Sequence, residues 1–258
     1  MKDARSFFTC FKPNRPLPER IGISFVNRLG LIFIAFYLES CGIFPAGVVT
    51  QKELQQMTPA AAIARLEVGN KRFVDNRTKS FNWREQRHYL SRNRQSAPAV
   101  VLTGTDPRTA PELVFNQCLG DMFTLRFPAN MATSENIAAI EFQCRTVGSK
   151  VIVVLAQTHD PYIEALLNND QTGNQPYINY LLKPALTAVQ RDPTWQKWKR
   201  DDLVNAVMRA NLAISLQKIT TLSPSLKSWI ESGYVALVGA VYDVDSGKVF
   251  FLQNDGRN

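Results

Sequence analysis

Two short stretches of this chain carry the side chains that chemistry would need. The first is Thr103-Gly104-Thr105-Asp106-Pro107-Arg108, which follows the apolar run Ala99 to Leu102. The second is Ala156-Gln157-Thr158-His159-Asp160-Pro161, which follows the apolar run Val151 to Leu155. Short apolar runs bounded by Gly and Pro read as buried strands. A strand that stops at a polar, Gly-containing loop is where open α/β sheets place ligands. Asp106 and Arg108 stand two residues apart. A guanidinium in that loop is a fork-shaped binder for a small anion. The blander reading is an internal ion pair that braces the turn, with Asp106 capping the next turn of the chain. His159 is one of only two histidines. Its ordinary pKa near neutrality suits general-base work.

These loops need a scaffold, and the pattern around them supplies one. Thr58-Pro59 is a helix start, a capping hydroxyl followed by Pro at the first helical position. It predicts a helix over Ala60–Val74. Residues 77–97 are polar and basic, with Trp83 and Tyr89, and read as a helix-containing connector. A short helix or turn is predicted at Pro111–Phe115, and Pro161–Asn168 is predicted to begin another helix. Longer helices are predicted at Ser134–Thr146 (capped by Ser134), Tyr177–Gln190 and Asp201–Ile219. A strand over Lys150–Leu155 follows the helix that begins at Ser134, as in a right-handed βαβ crossover of a parallel sheet. A hairpin closes the chain, from Tyr234–Tyr242 through Asp245-Ser246-Gly247 to Lys248–Leu252. The basic run Lys197 to Arg200, beside Trp195 and Trp198, reads as a solvated helix end rather than a binding patch.

Composition narrows the class. The chain has 258 residues and a formal net charge of +8. Six basic residues against two acidic ones lie in the first 28, and the apolar run Leu29 to Leu38 follows. Ten apolar residues are too few to span a bilayer, which needs ~20. Residues 1–50 therefore read as a basic leader with an apolar signal or anchor segment. Residues 51–258 read as one folded domain. The expectation is an exported, periplasmic or membrane-anchored protein, with a cytosolic N-terminal extension as the other choice. Membrane contact is expected only through that segment. No nucleic-acid face is expected, because one needs Lys and Arg clustered on a folded surface. Cys10, Cys41, Cys118 and Cys144 form no C-x-x-C pair. No zinc-finger or metalloprotease spacing exists. A disulfide between Cys118 and Cys144 is left open.

Taken together, these stretches resemble the β-class carbonic anhydrases. That family has C-S-D-S-R after its first strand, where this chain has Gly104, Asp106 and Arg108. It has G-H-S/T-x-C-G after a later strand, where this chain has Gln157 and Asp160. Leu66-x-x-Gly69-Asn70-x-Arg72-Phe73 resembles its first helix, and Gly120-Asp121-Met122-Phe123-Thr124-Leu125-Arg126 its G-D-x-F-x-x-R strand. Asn130 and Gln95 match an asparagine and a glutamine near its active site. Ser223-Pro224 and the final hairpin match as well, so the likeness runs from about residue 58 to residue 252.

The resemblance implies an α/β fold, a mostly parallel sheet flanked by helices, with a helical N-terminal arm, a C-terminal hairpin and a homodimer or higher homo-oligomer. It also implies that Gly104, Gln157 and Asp160 occupy the three zinc-ligand positions. In the family, two thiolates and an imidazole hold a zinc that generates hydroxide to attack carbon dioxide. Zinc brings bound water from a pKa of ~15.7 to ~7, which is roughly 12 kcal/mol of proton release at ~1.4 per unit. No lone side chain supplies that. The expectation is a zinc-less, catalytically degenerate relative without a cofactor. It would bind bicarbonate or a similar small anion through Arg108, with Gln95 and Asn130 as further anion contacts. The alternative is an active carbonic anhydrase using Asp106, Arg108 and His159, either without metal or with a metal site rebuilt around Asp106, His159 and Asp160. Hard oxygen ligands plus one imidazole would favour a metal other than zinc.

Overall fold

The computed structural model describes residues 47–252. Residues 1–46 of the expected leader lie outside the described residues. The folded domain begins before residue 51. Val48 and Val49 are already buried, and Thr50 caps the first described helix, α1 (Gln51–Gln56), through a reciprocal contact with Glu53.

Helix α2 (Pro59–Val74) starts as Thr58-Pro59 dictates, with the Thr58 hydroxyl accepting from the Ala61 amide. The Gly69-Asn70 pair within it has a packing reason. A Cβ on Gly69 would stand 1.8 Å from the Phe115 carbonyl oxygen, so the helix approaches that turn only because the residue is Gly. Asn70 is buried and donates to the Val114 and Gly247 carbonyls, and it accepts from the Val249 amide. One amide thus ties α2 to the C-terminal hairpin. Helix α3 (Trp83–Leu90) lies in the basic connector.

Strand β1 (Ala99–Thr103) is followed by a one-turn helix, α4 (Pro111–Val114), and by β2 (Met122–Arg126). Helix α5 (Ser134–Thr146) leads to β3 (Val151–Gln157). Its cap is Thr133, not Ser134: Thr133 and Asn136 bond reciprocally, which satisfies two terminal amides at once. Helices α6 (Pro161–Leu167), α7 (Gln175–Val189), α8 (Arg200–Leu222) and α9 (Pro224–Glu231) precede β4 (Ala236–Tyr242) and β5 (Val249–Phe251). None of the helices among the described residues is long and apolar enough to cross a membrane.

The strands form one sheet in the order β2-β1-β3-β4-β5. Only the β4–β5 pair is antiparallel. Every residue of β1 and β3 is buried, as expected for central strands of a parallel sheet covered on both faces. Val100, Leu102, Ile152 and Val154 face a core shared with α5 to α9. Val101, Val151, Val153 and Leu155 face the other, with Ala62 and Leu66 of α2. Trp195 and Trp198 pack against the first core, in line with the bland reading of that basic run. Cys118 and Cys144 are both buried and free, so the disulfide left open by the sequence is not formed.

The connection after β1 leads to one edge of the sheet, and that after β3 toward the other. Their loops therefore diverge, leaving a crevice at the carboxyl ends of the two central strands.

Candidate functional site

Both loops singled out in the sequence meet in that crevice. The register pairs Thr103 with Leu155, so β3 extends two residues beyond the pair and ends at Gln157. That carries Gln157 alongside the turn after β1. Gln157 donates from Nε2 to Asp106 Oδ2 at 2.8 Å, and its Oε1 accepts from the Thr109 hydroxyl at 2.6 Å. Both ends of the amide are committed.

Asp106 is buried and collects donors. The Arg108 amide bonds to its Oδ1 at 2.8 Å, Arg108 Nε reaches both oxygens, and Nη2 bonds Oδ2 at 2.6 Å. The Arg108 guanidinium holds the Asp106 carboxyl well below its usual range, at about 2. Arg108 also donates to the His159 carbonyl at 3.0 Å, which clamps the first loop to the second. Its side chain is 48% exposed, and among the described residues its Nη1 has no hydrogen-bond partner. Asp106, with smaller contributions from Asp160 and Asp245, raises its pKa.

Asp160 is buried at the start of α6, where its Oδ1 accepts from the amides of Tyr162 and Ile163. Burial pushes its carboxyl up to about 6, against the pull of those two amides. Gly104 faces both partners. A Cβ built on it would lie 3.5 Å from Gln157 Oε1 and 3.7 Å from Asp160 Oδ2. Residues 104, 157 and 160 therefore do converge on one point.

His159 enters differently from expectation. It takes a left-handed backbone conformation, φ 54°. Its imidazole turns to Asp245 at the surface, with 3.3 Å between Nε2 and Oδ2. The loop receives its carbonyl rather than its ring, so the set Asp106, His159 and Asp160 is not brought together. Among the described residues, no three His, Cys, Asp or Glu side chains are grouped to hold a metal ion. Gln95 is exposed and precedes β1, at the opposite end of the sheet, so one chain does not bring it to Arg108. Asn130 is buried with its Nδ2 unpaired, and its backbone carbonyl accepts from Ser215.

Two residues not among the expected site residues also build the site. Thr109 orients Gln157, and Arg126 at the end of β2 donates to the Gly104 and Asp106 carbonyls, each at 3.3 Å. Arg126 closes the stretch that resembles the G-D-x-F-x-x-R strand, which was the available signal. Nothing in the local pattern marked Thr109.

Comparison with known proteins agrees with this fold. A family model described as carbonic anhydrase matches residues 99–249. Carbonic anhydrase 2 of Mycobacterium tuberculosis is 26% identical over 204 residues, covering 77% of this chain and 95% of that protein. Among solved structures, the β-carbonic anhydrase CcaA superposes with a TM-score of 0.61 at 21% identity, over 76% of this chain and 90% of that one. The β-carbonic anhydrase CafA of Aspergillus fumigatus gives 0.59 at 25%, over 77% and 91%. One of two tetrameric β-carbonic anhydrases of Sordaria macrospora gives 0.54 at 18%, over 61% and 81%.

Proposed function

Because the chain belongs to the β-class carbonic anhydrase family, we propose that it is a member without zinc catalysis, whose crevice binds a small oxyanion of the bicarbonate type at Arg108. The observation that carries this reading is the fate of residues 104, 157 and 160. They stand together, but their donor set does not suit zinc, which prefers thiolate and imidazole. Gly104 offers no donor atom. Gln157 spends both amide ends on Asp106 and Thr109. Asp160 spends one oxygen on capping α6. No hydroxide-generating step is assigned to these residues.

The free edge of Arg108 supports anion binding, and the surrounding charges limit its strength. Asp106 already neutralises the guanidinium, and Asp160 and Asp245 add negative potential. An oxyanion there gains one charge-assisted contact against repulsion from the carboxylates. The affinity expected is on the order of millimolar, about −4 kcal/mol. We extend the reading to assembly: homo-oligomerisation is supported by the tetrameric relatives of Sordaria macrospora.

Stopped-flow carbon dioxide hydration, paired with an NMR titration of the backbone amides of Thr105, Asp106 and His159 by bicarbonate and by nitrate, tests the proposal. No rate above buffer, with a saturable shift that Arg108→Ala removes, is the expected result. Hydration that Asp106→Asn abolishes would replace it with an active enzyme.

A further inference from the structure

We propose that the outward face of α3 docks the domain onto an anionic lipid surface. Segment 77–94 carries six Arg and Lys residues against a single Glu, a net +5 within a chain of +8. Arg84, Arg87 and His88 are exposed on consecutive turns of α3, and Arg92 and Arg94 continue the exposed run beyond it. His88 is engaged by Arg92. No salt bridge among the described residues neutralises Arg84, Arg87 or Arg94. The opposite side of the helix is committed to the fold, with Gln86 buried against the Leu119 amide and Leu90 against Gly120. Surface arginines that brace a fold normally find carboxylates, and among the described residues these have none.

Two observations favour lipid over nucleic acid. Trp83 opens the helix 51% exposed, its ring tilted against Phe81 at 5.3 Å. An amphipathic ring beside arginines suits a headgroup boundary, whereas a single-stranded nucleic acid calls for a series of stacking platforms. The second is where the chain enters. A Cβ built on Gly47 would lie 3.2 Å from the Phe81 ring, and a cavity of about 790 Å³ between residues 47–56 and Tyr89, Asn93 and Arg94 marks the same corner. Eight residues separate Gly47 from the apolar run ending at Leu38. They span at most about 30 Å, so a membrane held by that run lies within reach of α3. Basic residues close to anionic headgroups then add binding energy one by one.

The test uses the full chain with vesicles of phosphatidylcholine alone or with roughly one third phosphatidylglycerol. Because the N-terminal segment has its own apolar run and basic residues, the quantity read is the loss caused by substitution within the folded domain. The double variant R84E/R87E is expected to lower the phosphatidylglycerol-dependent partition coefficient at least about tenfold. K183E/R191E, on and just after α7, should leave it within about twofold. Trp83→Phe should remove most of the fluorescence quenching by brominated phosphatidylglycerol. Partitioning that ignores R84E/R87E, or quenching that survives Trp83→Phe, would overturn the proposal. So would retention of duplex DNA that depends on these arginines without any vesicle increment.

Discussion

Asp160→Asn should stabilise the protein at neutral pH, and the gain should vanish in acid. An unfolded Asp160 loses its proton near its ordinary value of 3.8, whereas burial in the fold delays that loss to about 6. Between those values the folded state holds more protons than the unfolded state. Stability therefore falls as pH rises through the window and stays low above about 6. The shift is about 2 units, and at ~1.4 kcal/mol each the buried carboxylate costs about 3 kcal/mol at pH 8. Asn caps a helix as well as Asp does, so the bonds from Tyr162 and Ile163 should survive the change. Urea unfolding of both proteins at half-unit steps from pH 4 to pH 8 gives the comparison. The variant should match the wild type near pH 4 and exceed it by about 2 to 3 kcal/mol above pH 6. A difference that does not change with pH, or a variant weaker at pH 8 than at pH 4, would refute the assignment of Asp160 as a strained buried acid.

Asp106 bends the acid side of the profile the other way. Its folded pKa of about 2 lies below the unfolded 3.8, so its contribution is present above 3.8 and is lost as pH falls toward 2. Arg108→Ala should return that pKa toward the ordinary range, which carbon-13 NMR of the carboxyl reads directly. The stability loss at neutral pH should stay within about 2 kcal/mol, because the guanidinium is half exposed. Gly69→Ala should prevent folding or cost more than about 3 kcal/mol, since its Cβ would meet a backbone oxygen; soluble yield and urea midpoint report it. Asn70→Ala removes the three hydrogen bonds of a buried amide and should cost about 2 to 4 kcal/mol, with hydrogen exchange at Gly247 to Phe251 rising first.

The central strands and the two loops were legible in the sequence because their apolar runs are continuous and end at Gly or Pro. The Asp106–Arg108 pair was also legible, since two residues is the reach of an Asp side chain to a following amide. What sequence could not fix was direction. Gln157 lies in the strand rather than after it, because β3 continues past its partner in β1. The ring of His159 points away because a left-handed residue breaks the alternation of an extended chain. Thr133 takes the cap expected of Ser134 because Asn136 completes a reciprocal bond with it. Asp160-Pro161 has the same cap-then-Pro order as Thr58-Pro59, but the resemblance marks Asp160 only as a ligand position. Its role as a buried acid that caps a helix, rather than an open ligand, is visible only with Tyr162 and Ile163 in place.

The zinc content of the purified full-length protein, from cells grown with added zinc, bears most directly on the central claim. Mass spectrometry of the metal should find well under one zinc per chain, and chelator should leave the thermal midpoint unchanged. One tightly held zinc per chain, lost only with Asp160→Ala or Gln157→Ala, would contradict a crevice in which internal hydrogen bonds have taken the place of a metal.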